Sequence, residues 1–196
     1  VSPPACSTSS STSPAWPGPG IRAANAPSPH TSSRPTRCEA KVRDAGIACV
    51  HDATGYQIPN FTYPDVDSAS LFEAVARQAV EAEESGFDTV LLMDHFYQPP
   101  MLGAPDNAML ECYTMLAALS QRTSRVRLSA LVTGNTYRNP TLLAKIVTAL
   151  DIVSVGRAQL GIGAGWYELE HESLGFEFGT FTDRFERLEE ALQIIT

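Results

Sequence analysis

From Gly55 onward, short apolar runs alternate with longer segments whose apolar residues recur at helical spacing. Tyr56 to Thr62 reads as a short strand stopped by Pro64. Ser70 and Glu73 stand where a capping box would open a helix that turns Leu71, Phe72, Val75, Ala79 and Ala82 inward and closes at Gly86. Phe87 to Met93 is a near-continuous apolar run of strand length, as a parallel strand buried on both faces requires. A loop rich in Pro and Gly (99–106) leads to a helix around Leu110–Gln121. Val126 to Thr133 gives a third strand. Asn139-Pro140 then starts a helix with Leu142, Leu143, Ile146, Leu150 and Val153 inside and Gly156 at its close. Arg157 to Gly163 is a fourth strand. After a long loop, Phe185, Leu188, Leu192 and Ile195 mark a fourth helix. Four βα units at a spacing of ~30–35 residues predict parallel strands joined by right-handed crossovers. An open doubly wound sheet and part of a barrel both fit.

Composition divides the chain. Residues 1–52 form a leader in which Ser, Pro, Ala and Thr dominate the first 38 positions, with eight prolines between Pro3 and Pro35. Such a stretch cannot bury enough apolar surface to offset its ordering entropy, so disorder or a spurious leader is expected there. Ile47 to Val50 is ambiguous between strand and helical turn. Residues 53–196 are the candidate domain. All 22 acidic residues lie from Glu39 onward, against 11 of the 14 Lys and Arg, a net charge of −11. A body this acidic disfavours nucleic acid. No apolar run approaches the ~18–20 residues that span a bilayer. Cys6, Cys38, Cys49 and Cys112 show no metal-ligand spacing, so no metal is expected, and reduced thiols in a cytoplasmic protein are the simplest reading.

Ligands of parallel α/β folds sit at the carboxyl ends of the strands. Polar and glycine-rich residues gather there: Pro59-Asn60, Asp94-His95, Thr133-Gly134-Asn135 and Gly163-Ala164-Gly165-Trp166. Core packing does not require that pattern. Asp94-His95 puts an imidazole on the rim beside a carboxylate, suited to general acid–base work. Equally, His95 could bond only the loop backbone, with Asp94 capping it. Gly161-Ile162-Gly163-Ala164-Gly165 fails the dinucleotide fingerprint because Trp166 stands where the third glycine belongs, and tight rim packing is the preferred explanation. Glu168, Glu170, His171 and Glu172 read as a solvated acidic loop. Trp166 and Tyr167 fit pocket wall and core equally, and His30 and His51 receive no role.

These residues carry a resemblance. Gln57-Ile58-Pro59-Asn60-Phe61, Met93-Asp94-His95-Phe96, the run from Leu131 to Pro140 and the run from Gly156 to Trp166 resemble, in order and spacing, the luciferase-like monooxygenase superfamily, particularly its coenzyme F420-dependent branch. The resemblance covers roughly residues 55–196 and implies the first four βα units of a (β/α)8 TIM barrel. It implies a deazaflavin or flavin lying across the strand ends and exchanging hydride at its central ring, in an oxidoreductase that transfers hydride between coenzyme F420 and a small organic substrate or, alternatively, in an FMN-dependent monooxygenase. It assigns His95 as catalytic base with Asp94 beside it. Asn60, Ala130, Leu131, Thr133, Asn135, Gly163, Gly165 and Trp166 become cofactor contacts, and a non-prolyl cis peptide falls near Ala130-Leu131. A homodimer is implied for the intact protein. Trp166 stands where some sugar-phosphate-oxidising relatives carry a glutamate, so their proton donor is not carried over. With four units of eight, the chain reads as a truncated frame or one piece of a larger protein. The rival classes are a non-catalytic flavin-binding protein and an inactive structural fragment.

Overall fold

The order of the strands in space follows their order in the chain. The computed structural model describes residues 53–196. The expectations for the leader, for Ile47–Val50, and for Cys6, Cys38, Cys49, His30 and His51 lie outside the described residues. Strands β1 (Gly55–Ile58), β2 (Thr89–Leu92) and β3 (Arg127–Ala130), with the later β5 (Ala158–Gln159), form one parallel sheet in the order β1-β2-β3-β5. A doubly wound sheet reverses its order at a switch point. No reversal occurs here, and a sequential parallel wall is what a barrel builds.

The third and fourth predicted strands are each split in two. The peptide bond Leu131–Val132 is cis, one bond further on than expected, and the chain pairs again only at β4 (Thr133–Gly134). β4 runs parallel to β6 (Ile162–Gly163), with the Thr133 N–H donating to the Gly161 carbonyl at 2.8 Å. The first strand also stops at Ile58 rather than Thr62.

Side-chain alternation gives the sheet two different faces. Ile58, Val90, Leu92, Leu128 and Ala130 are buried in the core against the helices. The opposite row, Gln57, Leu91, Ser129 and Gln159, runs in register across all four strands and is largely polar.

Helix α1 (Leu71–Glu84) buries Val75, Ala79 and Ala82 as its spacing predicts and Ala76 besides, while Leu71 and Phe72 are half-buried. The Ser70–Glu73 capping box does not form. Asp67 takes over the turn: its carboxylate accepts from the Ser70 N–H at 2.9 Å and from the Ser70 hydroxyl at 2.5 Å, while Glu73 reaches Arg122. A capping box does open the last helix, α5 (Phe181–Ile195), between Thr180 and Asp183.

Helix α2 (Cys112–Ser120) is capped by Glu111 and buries the Cys112 thiol, whose pKa is raised by that burial. Helix α3 (Pro140–Val153) starts as predicted, with the Asn139 side chain accepting from the Thr141 N–H at 2.9 Å. Its buried face is narrower than the apolar spacing suggests: Leu143 and Leu150 are buried, whereas Leu142 and Val153 are exposed. The inner face expected for α5 is also displaced. Phe185 and Leu192 are exposed and Ala191 is buried, because small Ala191 sits at the cleft between α5 and the 3₁₀ turn Asn135–Tyr137. The long loop after the fourth strand contains a further helix, α4 (Glu168–Leu174).

One buried acid ties α1 to the start of β3. The Glu83 carboxylate accepts from the backbone N–H groups of Ser124, Arg125 and Val126 at 3.0, 2.6 and 2.8 Å, and from the Ser124 hydroxyl at 3.0 Å. Burial opposes its charge, but these bonds prevail and hold its pKa below the ordinary carboxylate value. Glu83→Ala leaves three N–H groups short of a partner and is expected to cost about 1–3 kcal/mol in urea unfolding. A depressed folded-state pKa means that the stabilisation is present at neutral pH and fades as pH falls through that pKa. Glu83→Gln should therefore flatten the acid limb of stability against pH; an unchanged limb would show that the charge contributes nothing.

Among the described residues, no helix is long and apolar enough to cross a membrane.

Candidate active site

β2 delivers Asp94 and His95 to the rim as predicted, but the two side chains turn to different partners. Asp94 is buried. Its Oδ2 accepts from the Gly134 N–H at 3.0 Å and from Arg138 Nη1 at 2.6 Å, and its Oδ1 from Arg138 Nη2 at 2.9 Å. Arg138 also donates to Glu111 at 2.8 Å and lies over the Tyr113 ring, 5.1 Å from its centroid. Burial works against the guanidinium charge, yet Asp94 and Glu111 hold its pKa above the ordinary arginine value. Asp94 is therefore a strand-end clasp between β2 and β4 and does not cap the histidine.

The carboxylate that meets His95 comes from α4. His95 Nδ1 lies 3.0 Å from Glu170 Oε2. Oε1 of the same acid accepts from the N–H groups of Phe96 at 2.5 Å and Tyr97 at 2.9 Å, and Oε2 also accepts from the Tyr137 hydroxyl. Glu170 and His171 are fully buried, which corrects the expectation of a solvated face for these two, while Glu168 and Glu172 are exposed as expected. Tyr167, Glu170 and His171 fall at i, i+3 and i+4, so a helix brings all three to one face. That spacing was the available signal. Burial opposes ionisation of Glu170, but the bonds from His95, Tyr137 and the Tyr97 N–H outweigh it and keep its pKa below the usual glutamate value. The Tyr137 phenol is pushed far up by burial and by the Glu170 charge. Next to this pair, His171 Nδ1 lies 2.8 Å from the Tyr167 carbonyl and its Nε2 lies 2.7 Å from Thr136 Oγ1.

The His95 ring is held edge-on by Trp166 and Tyr167, with centroids 5.5 and 5.8 Å away, and these two indole and phenol rings stack on each other at 5.0 Å. Tyr167 is buried, as a core residue would be, and Trp166 is 54% exposed. His95 keeps a 14% exposed side chain, and its Nε2 makes no hydrogen bond among the described residues.

The other expected contacts divide. Leu131 and Val132 lie at the end of β3 with 44% exposure each, an apolar shelf at the same end of the sheet. Ala130 points into the core, and Thr133 is fully buried with its hydroxyl 2.6 Å from that of Tyr113, whose pKa burial pushes up to about 12. Asn60 is half-buried and accepts from the Thr62 N–H at 3.2 Å. Gly161 and Gly163 serve packing: a Cβ on Gly161 would lie 2.5 Å from the Ala130 carbonyl, and one on Gly163 2.8 Å from Val132. Gly165 has φ +82, and a Cβ there would lie 2.7 Å from Thr136 Oγ1, so the turn before Trp166 needs glycine.

Among the described residues, three buried polar atoms have no partner: Gln98 Oε1, Asn135 Oδ1 and Tyr167 Oη. All belong to segments that follow β2, β4 and β6. An apolar shelf, an exposed indole and orphaned polar atoms at one end of the sheet fit a flat heteroaromatic group with polar edges.

The chain is 40% identical over 119 residues to an F420-dependent glucose-6-phosphate dehydrogenase of Microbacterium testaceum, which covers 59% of this chain and 34% of that protein. The corresponding enzyme of Kineococcus radiotolerans is 38% identical over 118 residues, with 60% and 34% covered. The chain thus spans about a third of the length of these curated relatives. An F420-dependent secondary alcohol dehydrogenase in complex with an F420-acetone adduct superposes with a TM-score of 0.60 at 25% identity, covering 73% of this chain and 40% of that one. The oxygenating constituent of 3,6-diketocamphane monooxygenase from Pseudomonas putida, in complex with FMN, shares the fold at a TM-score of 0.59 and 21% identity, covering 73% and 38%. The model of the luciferase-like monooxygenase family matches residues 54–196, and the chain belongs to that family.

Proposed function

We propose that this chain carries the amino-terminal part of an oxidoreductase that transfers hydride between coenzyme F420 and an organic alcohol, with His95 moving the proton. The observation that carries the reading is the imidazole itself. Its Nδ1 is anchored on a buried carboxylate, and its Nε2, beside an exposed indole at the rim, has no partner among the described residues. A group in that position can take the hydroxyl proton of an alcohol as the carbinol hydride departs, or return it in the opposite direction. Bound at the strand ends, a deazaflavin supplies the two-electron hydride acceptor or donor. Leu131 and Trp166 would bear on its rings and Asn60 and Asn135 would line the seat, while Ala130, Thr133, Gly163 and Gly165, packed behind or beside it, would set the backbone that shapes it. The names of the curated relatives at 38–40% identity favour the deazaflavin over FMN.

Thermal unfolding with each cofactor tests this. A ligand that binds only the folded state adds ~2.7 kcal/mol of stability at 100 times its Kd. Coenzyme F420 is expected to raise the unfolding midpoint of the chain while FMN leaves it in place. A rise with FMN alone would replace this reading with that of an FMN-dependent monooxygenase. No rise with either, in this chain and in a full-length protein carrying its strand ends, would remove the cofactor assignment.

A further inference from the structure

We propose that Glu170 is a positioning residue that holds the neutral ring of His95 in the tautomer protonated on Nδ1, so that Nε2 is the atom that takes the proton of an alcohol hydroxyl. The inference rests on the function proposed for His95. A neutral imidazole carries one N–H, and which nitrogen bears it is set by the partner of the other. The partner of Nδ1 is Glu170 Oε2 at 3.0 Å. An ionised carboxylate can only accept, so the proton of the neutral ring lies on Nδ1 and the lone pair on Nε2.

The anion has no freedom to become the proton carrier itself. Its oxygens receive four donors: His95 Nδ1, the Phe96 and Tyr97 N–H groups, and the Tyr137 hydroxyl. Two of these N–H groups belong to the residues directly after His95, so one carboxylate fixes the ring and the backbone that bears it. Asp94, the acid adjacent in sequence, is engaged by Arg138 and Gly134 and does not touch the ring. When the substrate hydroxyl gives its proton to Nε2, the carbinol C–H pair leaves as hydride to the cofactor, the C–O bond becomes a carbonyl, and the new imidazolium lies against Glu170.

Nitrogen-15 correlation spectra of histidine-labelled protein read this tautomer without any turnover. The His95 signals are identified by their loss in His95→Ala, and His171 serves as an internal reference. Its Nδ1 faces a carbonyl, which can only accept. The expected result is an Nδ1–H pattern for both residues. Glu170→Gln keeps the shape but must use its oxygen for the Phe96 and Tyr97 N–H groups, which turns its NH₂ toward Nδ1 and moves the ring proton to Nε2. The His95 pattern should invert while that of His171 stays. In a full-length protein carrying the segment, the same substitution should lower kcat for alcohol oxidation by about 10²–10⁴-fold with KM little changed.

An Nε2–H pattern in the unmodified protein overturns the proposal before any variant is made. A pattern unmoved by Glu170→Gln also overturns it. If His95→Ala abolishes turnover and Glu170→Gln does not, the positioning role fails while the acid–base role of His95 stands. If neither variant changes turnover, the function proposed for His95 is itself wrong.

Discussion

His95→Ala is expected to lower turnover by about 10²–10⁴-fold in a full-length protein that carries this segment, the contribution usual for a positioned acid or base. The size of the loss follows from what surrounds the ring. Of Asp94 and His95 at the end of β2, only His95 has an outer atom, Nε2, without a partner among the described residues. Asp94 is consumed by Arg138, and Glu170 by four donors. No neighbour stands ready to substitute for it. The fold should survive, because the ring touches Trp166 and Tyr167 only by its edges and contributes little apolar burial. Cofactor binding, read by the same unfolding shift, should change far less than turnover. Equal losses in binding and turnover would recast His95 as a wall of the cofactor seat. Unchanged turnover would remove the acid–base assignment.

The βα order was legible because each unit announces itself locally. The apolar run of Phe87–Met93, the Asn139-Pro140 start of α3 and the glycines that close helices depend only on neighbours in sequence. The rim residues Asp94 and His95 were found for the same reason: a strand that runs from apolar residues into two ionisable ones stands out. Their partners were not legible. Arg138 lies 44 residues from Asp94, and Glu170 75 residues from His95, so the pairing exists only once the strands are side by side. Adjacency in sequence pointed to Asp94 as the partner of His95, but consecutive residues leaving a strand point to opposite sides.

Charged residues on a short segment read by default as solvated, and this hid Glu170 and His171. Their spacing with Tyr167 held the correction, but Glu168, Glu172 and Ser173 beside them masked a two-turn helix. At α5 the apolar stripe was real and its direction was not readable. Phe181, Phe185 and Leu192 remain exposed while Ala191 makes the close approach. Periodicity fixes which residues share a face; it does not say which neighbour that face meets.

Arg138→Met is expected to destabilise the chain by about 3–5 kcal/mol, the cost of leaving a buried charge without its partner. Asp94 would retain only the Gly134 N–H, and the Glu111 carboxylate, 43% exposed, would lose the cation that lies between the two acids. Glu111 also caps α2 through the Thr114 N–H at 2.7 Å, so it cannot move away without uncapping that helix. The Arg138 side chain is 11% exposed and that of Asp94 4%, so water is poorly placed to compensate. The exposed pair Arg122–Glu73 is the internal contrast: its side chains are 42% and 56% exposed, and Arg122→Met should leave stability nearly unchanged. A second change separates charge from packing. Adding Asp94→Asn to Arg138→Met removes the orphaned anion and should recover most of the loss in urea unfolding. If the single variant costs less than about 1 kcal/mol, the clasp contributes little and water reaches Asp94. If the double variant is worse than the single, the Asp94 carboxylate stabilises the junction of β2 and β4 through the Gly134 N–H rather than through its ion pair.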